Sequence, residues 1–200
     1  MIEAVIFDYG GVITSGGAGD ELAERFAKLS GVEIAEADTL IWGNWPNFVR
    51  GKIDEDGYWT AVEAELGRNI PVKQRRIWNM WDSMVPRPEM VSFVQELKDD
   101  GLRVGLLSNV APPTAKVTQS NGAYSLFSPC LLSCEIGYAK PDPEIYQVLL
   151  GELAGVKPEQ IVFVDDQENM LFPARELGIK TILAINAEQI ITDVKSLLKQ

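Results

Sequence analysis

Four side chains stand where short apolar runs stop. Asp8 follows AVIF, Ser108 ends LRVGLLS, and Asp165 and Asp166 end IVFVDD. The chain has no histidine, which excludes Ser-His and Cys-His nucleophile pairs and zinc sites that use imidazole. Any catalysis therefore runs on carboxylates, lysine or hydroxyls. Carboxylates supply nucleophiles, and they supply the hard oxygen ligands that Mg²⁺ prefers. With 29 acidic against 18 basic residues the formal net charge is −11, a field that repels an anionic substrate unless a cation is held where that substrate binds. A divalent ion at the acidic run ends meets that need.

Elements must hold these side chains in place. AVIF, LRVGLLS, PCLLS (ending at Ser133), IVFVDD and Thr181–Ile185 read as buried strands, each stopping at loop or helix-start residues. Helical patterns lie between them, over Pro88–Asp100, Asp142–Leu153, Asn169–Leu177 and Glu188–Leu198. Alternating strand and helix with wholly apolar strands predicts an α/β fold, a doubly wound parallel sheet whose ligand lies beyond the carboxyl ends of the strands. Residues 15–86 break that rhythm, with helix-like stretches at Asp20–Leu29, Ala35–Trp42, Glu55–Leu66 and Val72–Met84 and all five tryptophans. This predicts an α-helical cap domain over 15–86, inserted into a core of 1–14 and 87–200.

Composition narrows the partners. A hydrophobic fraction of 46% with 24% charged residues is that of a globular chain, neither disordered nor membrane-spanning. No window concentrates lysine and arginine, so no nucleic acid is expected. Neither a basic leader nor a long apolar stretch opens the chain, so the expectation is a cytoplasmic protein without a membrane partner, monomeric or homodimeric. Cys130 and Cys134 are too few for a disulfide framework and read as reduced thiols.

Asp8 in IFDYGGV, Ser108 in LLSN, Lys140 in KPDP and the Asp165–Asp166 pair in FVDD, in this order and spacing, resemble the four motifs of the haloacid dehalogenase superfamily over nearly the whole chain. The resemblance implies a Rossmann-like core with a helical cap between the first two motifs. It also implies a Mg²⁺-dependent phosphatase of a small phosphorylated metabolite, such as a sugar phosphate, that works through an aspartyl-phosphate. In that scheme Asp8 is the nucleophile, Ser108 and the backbone N–H of Asn109 donate to the transferring oxygens, and Lys140 is a fixed positive charge. Mg²⁺ is held by Asp8, Asp165, Asp166 and the main-chain carbonyl of Gly10.

Two departures stand out. Gly10 occupies the position where phosphatases of the family usually carry a general-acid Asp, although some members with a D-x-G-x-V opening are sugar-phosphate phosphatases. Met170 stands where Asn is common. Gly10 keeps open a second reading, a protein that binds a phosphorylated ligand with weak turnover. A carbon–halogen hydrolase is a third, opposed by the acidic pair, which dehalogenases of the superfamily lack. For substrate contact, WGNWPNFVRG offers Trp42, Asn44, Trp45 and Arg50, against the alternatives that the tryptophans are core and Arg50 pairs with an acid. Tyr9 and Thr14 lie close enough to Asp8 in sequence to be further candidates.

Overall fold

The computed structural model describes residues 1–16, 19–75 and 84–199. Five parallel strands, β1 (Ala4–Phe7), β2 (Arg103–Ser108), β3 (Cys130–Leu132), β4 (Ile161–Asp165) and β5 (Lys180–Leu183), form one sheet in the order β3-β2-β1-β4-β5. Helices α1 (Gly19–Ser30), α2 (Ile34–Phe48) and α3 (Glu55–Leu66) follow β1, and α4 (Pro88–Asp99) precedes β2. Helix α5 (Pro112–Ser120) and the single turn α6 (Ser133–Ile136) lie either side of β3, with α7 (Pro143–Glu152), α8 (Glu168–Glu176) and α9 (Ala187–Leu198) completing the chain.

The central strand is buried on both sides, and its alternating side chains serve two cores. Val5 and Phe7 pack with Met90, Phe93, Ile190 and Val194 of α4 and α9. Ala4 and Ile6 pack with Ile145, Leu149, Leu171 and Ala174 of α7 and α8. Helices therefore cover both faces, as the apolar strands predict. Burying a side chain such as Phe7 contributes about 2–3 kcal/mol, which accounts for the absence of polar residues from AVIF.

The register fixes the site. Phe7 stands opposite Leu106 on β2 and Val164 on β4, so Asp8, Ser108 and Asp165 emerge at one edge of the sheet. Between β1 and α4 the chain departs and returns through paired segments: Thr14 bridges Pro86, and Arg87 N–H donates to Ile13 C=O at 2.9 Å. Helices α1, α2 and α3 pack on one another around Phe26, Phe48, Tyr58 and Trp59, with Phe48 stacked on Tyr58 at 4.4 Å.

Several elements differ from the sequence expectation. Helix α2 runs on through Pro46 to Phe48, well beyond Trp42. Helix α5, which no apolar period announces, starts with Pro112 and Pro113 in its first turn, where a missing N–H costs nothing. The strand at PCLLS stops at Leu132, and Ser133 opens α6. Strand β5 ends at Leu183, leaving Ile185 76% exposed. Of the stretch Val72–Met84, Val72–Gln74 is a 3-10 turn, and residues 76–83, with Trp78 and Trp81, lie outside the described residues.

The end of α2 is tied to the loop before α7. Arg50 grips Asp142 with two parallel hydrogen bonds, Nε to Oδ2 and Nη2 to Oδ1, both 2.7 Å, and this contact holds the Asp142 carboxyl below its ordinary range. Nearby, the buried Ser133 hydroxyl donates to Val49 C=O at 2.7 Å and accepts from Val110 N–H at 2.9 Å.

Arg50→Ala is expected to lower stability by about 1–2 kcal/mol at pH 7. A carboxyl with a depressed folded pKa stabilises the fold above its unfolded value, near 4, and the contribution fades as pH falls through the folded value. Urea denaturation of both proteins should show a constant gap from pH 7 to about pH 5 that narrows toward pH 3. A gap that widens with acid would refute the pairing as its cause.

Candidate active site

Three carboxylates and one ammonium meet at the carboxyl edge of β1 and β4. Lys140 Nζ lies 3.0 Å from Asp8 Oδ1 and 2.5 Å from Asp165 Oδ2. Asp165 is fully buried and Lys140 is 4% exposed, so this is a pair out of water, where unbalanced charge is costly. Burial pushes the Lys140 pKa down, but Asp8 and Asp165 more than offset that and leave it above its ordinary value, so the ammonium form is held. Burial pushes the Asp165 carboxyl upward and Lys140 opposes it, with Asp8 adding to the rise.

Lys140 is placed by its backbone. Asn109 Nδ2 donates to Lys140 C=O at 2.7 Å, and Asn109 Oδ1 accepts from Lys140 N–H at 2.8 Å. Both ends of the Asn109 amide thus fasten the loop that carries the lysine. The ammonium also lies over the Phe163 ring, 5.3 Å from its centre, a further attraction for the charged form.

Asp8, Asp165 and Asp166 each present one oxygen within 4.8 Å of the others. Asp8 Oδ1 is buried with no hydrogen bond of good geometry, despite its ion pair with Lys140. Burial, and then Asp8, raise the Asp166 carboxyl. One lysine against three acids leaves negative charge in excess, the condition that a hard divalent cation relieves. Gly11 closes on the same spot: its φ is 70°, and a Cβ there would fall 2.2 Å from Asp166 Oδ2.

A cavity of about 410 Å³ opens onto these groups. Asp8, Gly10, Ser108, Asn109, Lys140 and Asp166 line it together with Trp42 and Trp45. Most of the sequence-derived residues therefore converge, with Asp165 buried behind Lys140 and with Arg50, Asn44, Tyr9 and Thr14 outside the lining. Arg50 is engaged by Asp142, and Asn44 donates to Glu65 at 3.1 Å; neither lines this cavity. Tyr9 and Thr14 are buried, Tyr9 donating to Met84 C=O at 2.8 Å and Thr14 to Gly16 C=O at 2.8 Å. Gln167, whose N–H donates to Asp165 Oδ1 at 2.9 Å, and Met84 also line the cavity. Neither carries a sequence signal, since each is known as a wall only from where the fold puts it.

Residues 2–187 match the family model of the haloacid dehalogenase-like hydrolases. Among curated relatives, the chain is 30% identical to a phosphatase of Mycobacterium tuberculosis over 98% of this chain and 95% of that one. It is 25% identical to a sesquiterpene phosphatase of Aspergillus oryzae, covering 88% and 87%. It is 27% identical to a D-ribitol-5-phosphate phosphatase of Bacteroides thetaiotaomicron, covering 90% and 91%. A solved family enzyme from Bacteroides thetaiotaomicron, in complex with magnesium and inorganic phosphate, superimposes with a TM-score of 0.72 at 26% identity, covering 91% of this chain and 93% of that one.

Lys140→Met removes the cation and strands Asp165 in the interior. In chelator, urea denaturation should show a loss of about 3–5 kcal/mol. Adding Asp165→Asn to the same chain should recover part of that loss, because the buried charge disappears. Stability equal to the parent's for Lys140→Met would contradict the account of the buried pair.

Proposed function

The chain belongs to the haloacid dehalogenase-like hydrolases, and we propose that it is a Mg²⁺-dependent phosphatase of a small phosphorylated metabolite. The observation that carries this reading is the meeting of Asp8, Asp165 and Asp166 around Lys140 at the mouth of the cavity. Phosphatases among the relatives and the magnesium and phosphate bound to the solved family enzyme support it.

In this reading a carboxylate oxygen of Asp8 bonds to phosphorus as the ester P–O bond breaks, and the departing oxygen takes up a proton. Water then attacks phosphorus, releasing inorganic phosphate and restoring the Asp8 carboxylate. The Ser108 hydroxyl and the Asn109 N–H donate to the phosphoryl oxygens, where added negative charge is stabilised by fixed donors. Lys140, held as an ammonium by Asp8 and Asp165, lowers the repulsion between nucleophile and phosphate and is no base. Asp8, Asp166 and the Gly10 carbonyl would hold Mg²⁺. Asp165, with one oxygen engaged by Lys140 and the other by Gln167 N–H, serves mainly through its charge. When bound, the ion neutralises phosphoryl charge and orients the ester for in-line attack. Residues 15–86 act as the cap, contributing Trp42 and Trp45 to the walls. Cys130 and Cys134 are free thiols, suited to a cytoplasmic setting, and no helix of the described residues is long and apolar enough to cross a membrane.

Asp8→Asn is expected to cut phosphate release by more than about 10⁴-fold with the fold intact by circular dichroism. EDTA should abolish release, and Gly11→Ala, which crowds Asp166, should raise the Mg²⁺ concentration needed for half-maximal rate. Release that persists in metal-free buffer would sink the assignment of the acidic cluster.

Gly10 leaves the departing oxygen without a neighbouring acid. General acid help is worth about 10²–10⁴-fold, so the rate should fall steeply as the leaving-group pKa rises across substituted phenyl phosphates. A flat series in kcat/KM, which reports the step that breaks the ester bond, would point to another proton donor.

A further inference from the structure

The cavity has two chemistries. Beside Asp8 and Lys140 its lining includes the polar side chains of Ser108, Asn109, Thr114, Asp166 and Gln167, while Trp42, Trp45, Met84, Val110, Ala111 and Met170 supply its apolar part. That wall is braced from behind. Trp42 meets Trp45 edge to face at 5.2 Å, and Trp45 rests against buried Phe48 at 6.4 Å, the three spaced three residues apart along one side of α2. Buried tyrosine hydroxyls fix the backbone of both methionines: Tyr9 donates to Met84 C=O at 2.8 Å, and Tyr146 donates to Met170 C=O. Apolar surface held open in this way is a preformed binding wall for an apolar group.

The polar side chains that α2 and its end offer are directed elsewhere. Arg50 is gripped by Asp142 and Asn44 by Glu65. Hydroxyls of a polyol lying against the indoles and thioethers lose water and gain no partners from those groups, whatever Thr114 and Gln167 offer elsewhere in the lining. An aromatic ring gains there, by area and by edge or face contact with the indoles and thioethers. Gly10 sets the second condition, a leaving oxygen that departs with little protonation. A phenol meets both conditions and a sugar alcohol meets neither. From the wall and Gly10 together, and resting on the phosphatase reading above, we infer that the substrate is an aryl phosphomonoester whose ring lies against Trp42, Trp45, Met84 and Met170. Hydrolysis breaks the P–O bond, releasing inorganic phosphate and the phenol, whose oxygen takes its proton from water.

Aryl esters hydrolyse readily on many catalysts, so the test separates binding from reactivity by using phosphonates, which do not react. In Mg²⁺, 1-naphthylmethylphosphonate should inhibit at a concentration about 30-fold or more below that of 2,3-dihydroxypropylphosphonate, a free-energy difference of about 2 kcal/mol. 2-Naphthyl phosphate should exceed phenyl phosphate in kcat/KM by several-fold, through KM. Trp45→Ala should raise the KM for 2-naphthyl phosphate about tenfold, with inorganic phosphate as competitor reporting on the phosphate-binding residues. Met170→Gln, which preserves length and helix propensity, should narrow the preference between the two phosphonates and serves if the tryptophan variant fails to fold. Equal inhibition by the two phosphonates, in an enzyme that does release phosphate from its esters, overturns the inference and leaves the phosphatase reading standing. No phosphate released from any ester with Mg²⁺ present overturns both.

Discussion

Lys140 places one positive charge between two buried carboxylates, 3.0 Å from Asp8 and 2.5 Å from Asp165, and the surrounding structure follows from keeping that charge where it is. A lone ammonium or carboxylate at this depth would lose its charge. Three independent segments must therefore arrive together. The parallel register brings two of them, because β1 and β4 are neighbours and Phe7 stands opposite Val164. The third is a loop, and Asn109 fastens it at both backbone atoms of Lys140. Asn109 directly follows β2, so all three central strands contribute to holding one lysine.

That lysine does not balance the site. Asp8, Asp165 and Asp166 exceed it by two charges, in a chain already at −11, and a phosphate ester would add more. The same excess that repels an anion at long range makes a tight local site for a hard dication, which then attracts the ester. In the proposed reading, that ion reconciles overall acidity with a phosphorylated substrate. The cavity also has apolar lining, and the segment after α2 that carries Arg50 is held against the Lys140 loop by Asp142 and against the start of α6 by Ser133. Binding walls and charged groups are thus mechanically one unit.

Much of this was legible in the sequence, for a physical reason. Wholly apolar strands that stop at Asp or Ser announce both a sheet buried on two faces and the edge where polar chemistry gathers. Asp8, Ser108, Asp165 and Asp166 were readable in that way, and Lys140 through the family motif. What escaped depends on partners distant in sequence. Arg50 and Asp142 lie 92 positions apart, so the sequence left Arg50 open to a substrate as well as to an acid. Ser133 looked like another strand-end hydroxyl and is a structural link between Val49 and Val110. The helix expected over Ala35–Trp42 runs on through Pro46 to Phe48, and this continuation is what puts Trp42, Trp45 and Phe48 on one side.

Gly10 and Gly11 are adjacent and have different reasons to lack a side chain. At Gly11 the backbone decides: φ is 70°, and a Cβ would collide with Asp166, so the close approach that shapes the acidic cluster requires glycine. Gly10 is not among the glycines of positive φ, so its φ alone does not require glycine. An acid there would face the leaving group. It would also add a fourth carboxylate beside Asp8, Asp165 and Asp166, in a cavity whose other wall is indole and thioether. On the aryl-ester reading, a site that dispenses with that acid keeps the space beside the leaving group uncharged, at the cost of handling only oxygens that depart easily. An apolar wall and a missing proton donor are then two consequences of one choice, a leaving group that needs neither hydrogen bonds nor protonation in order to go.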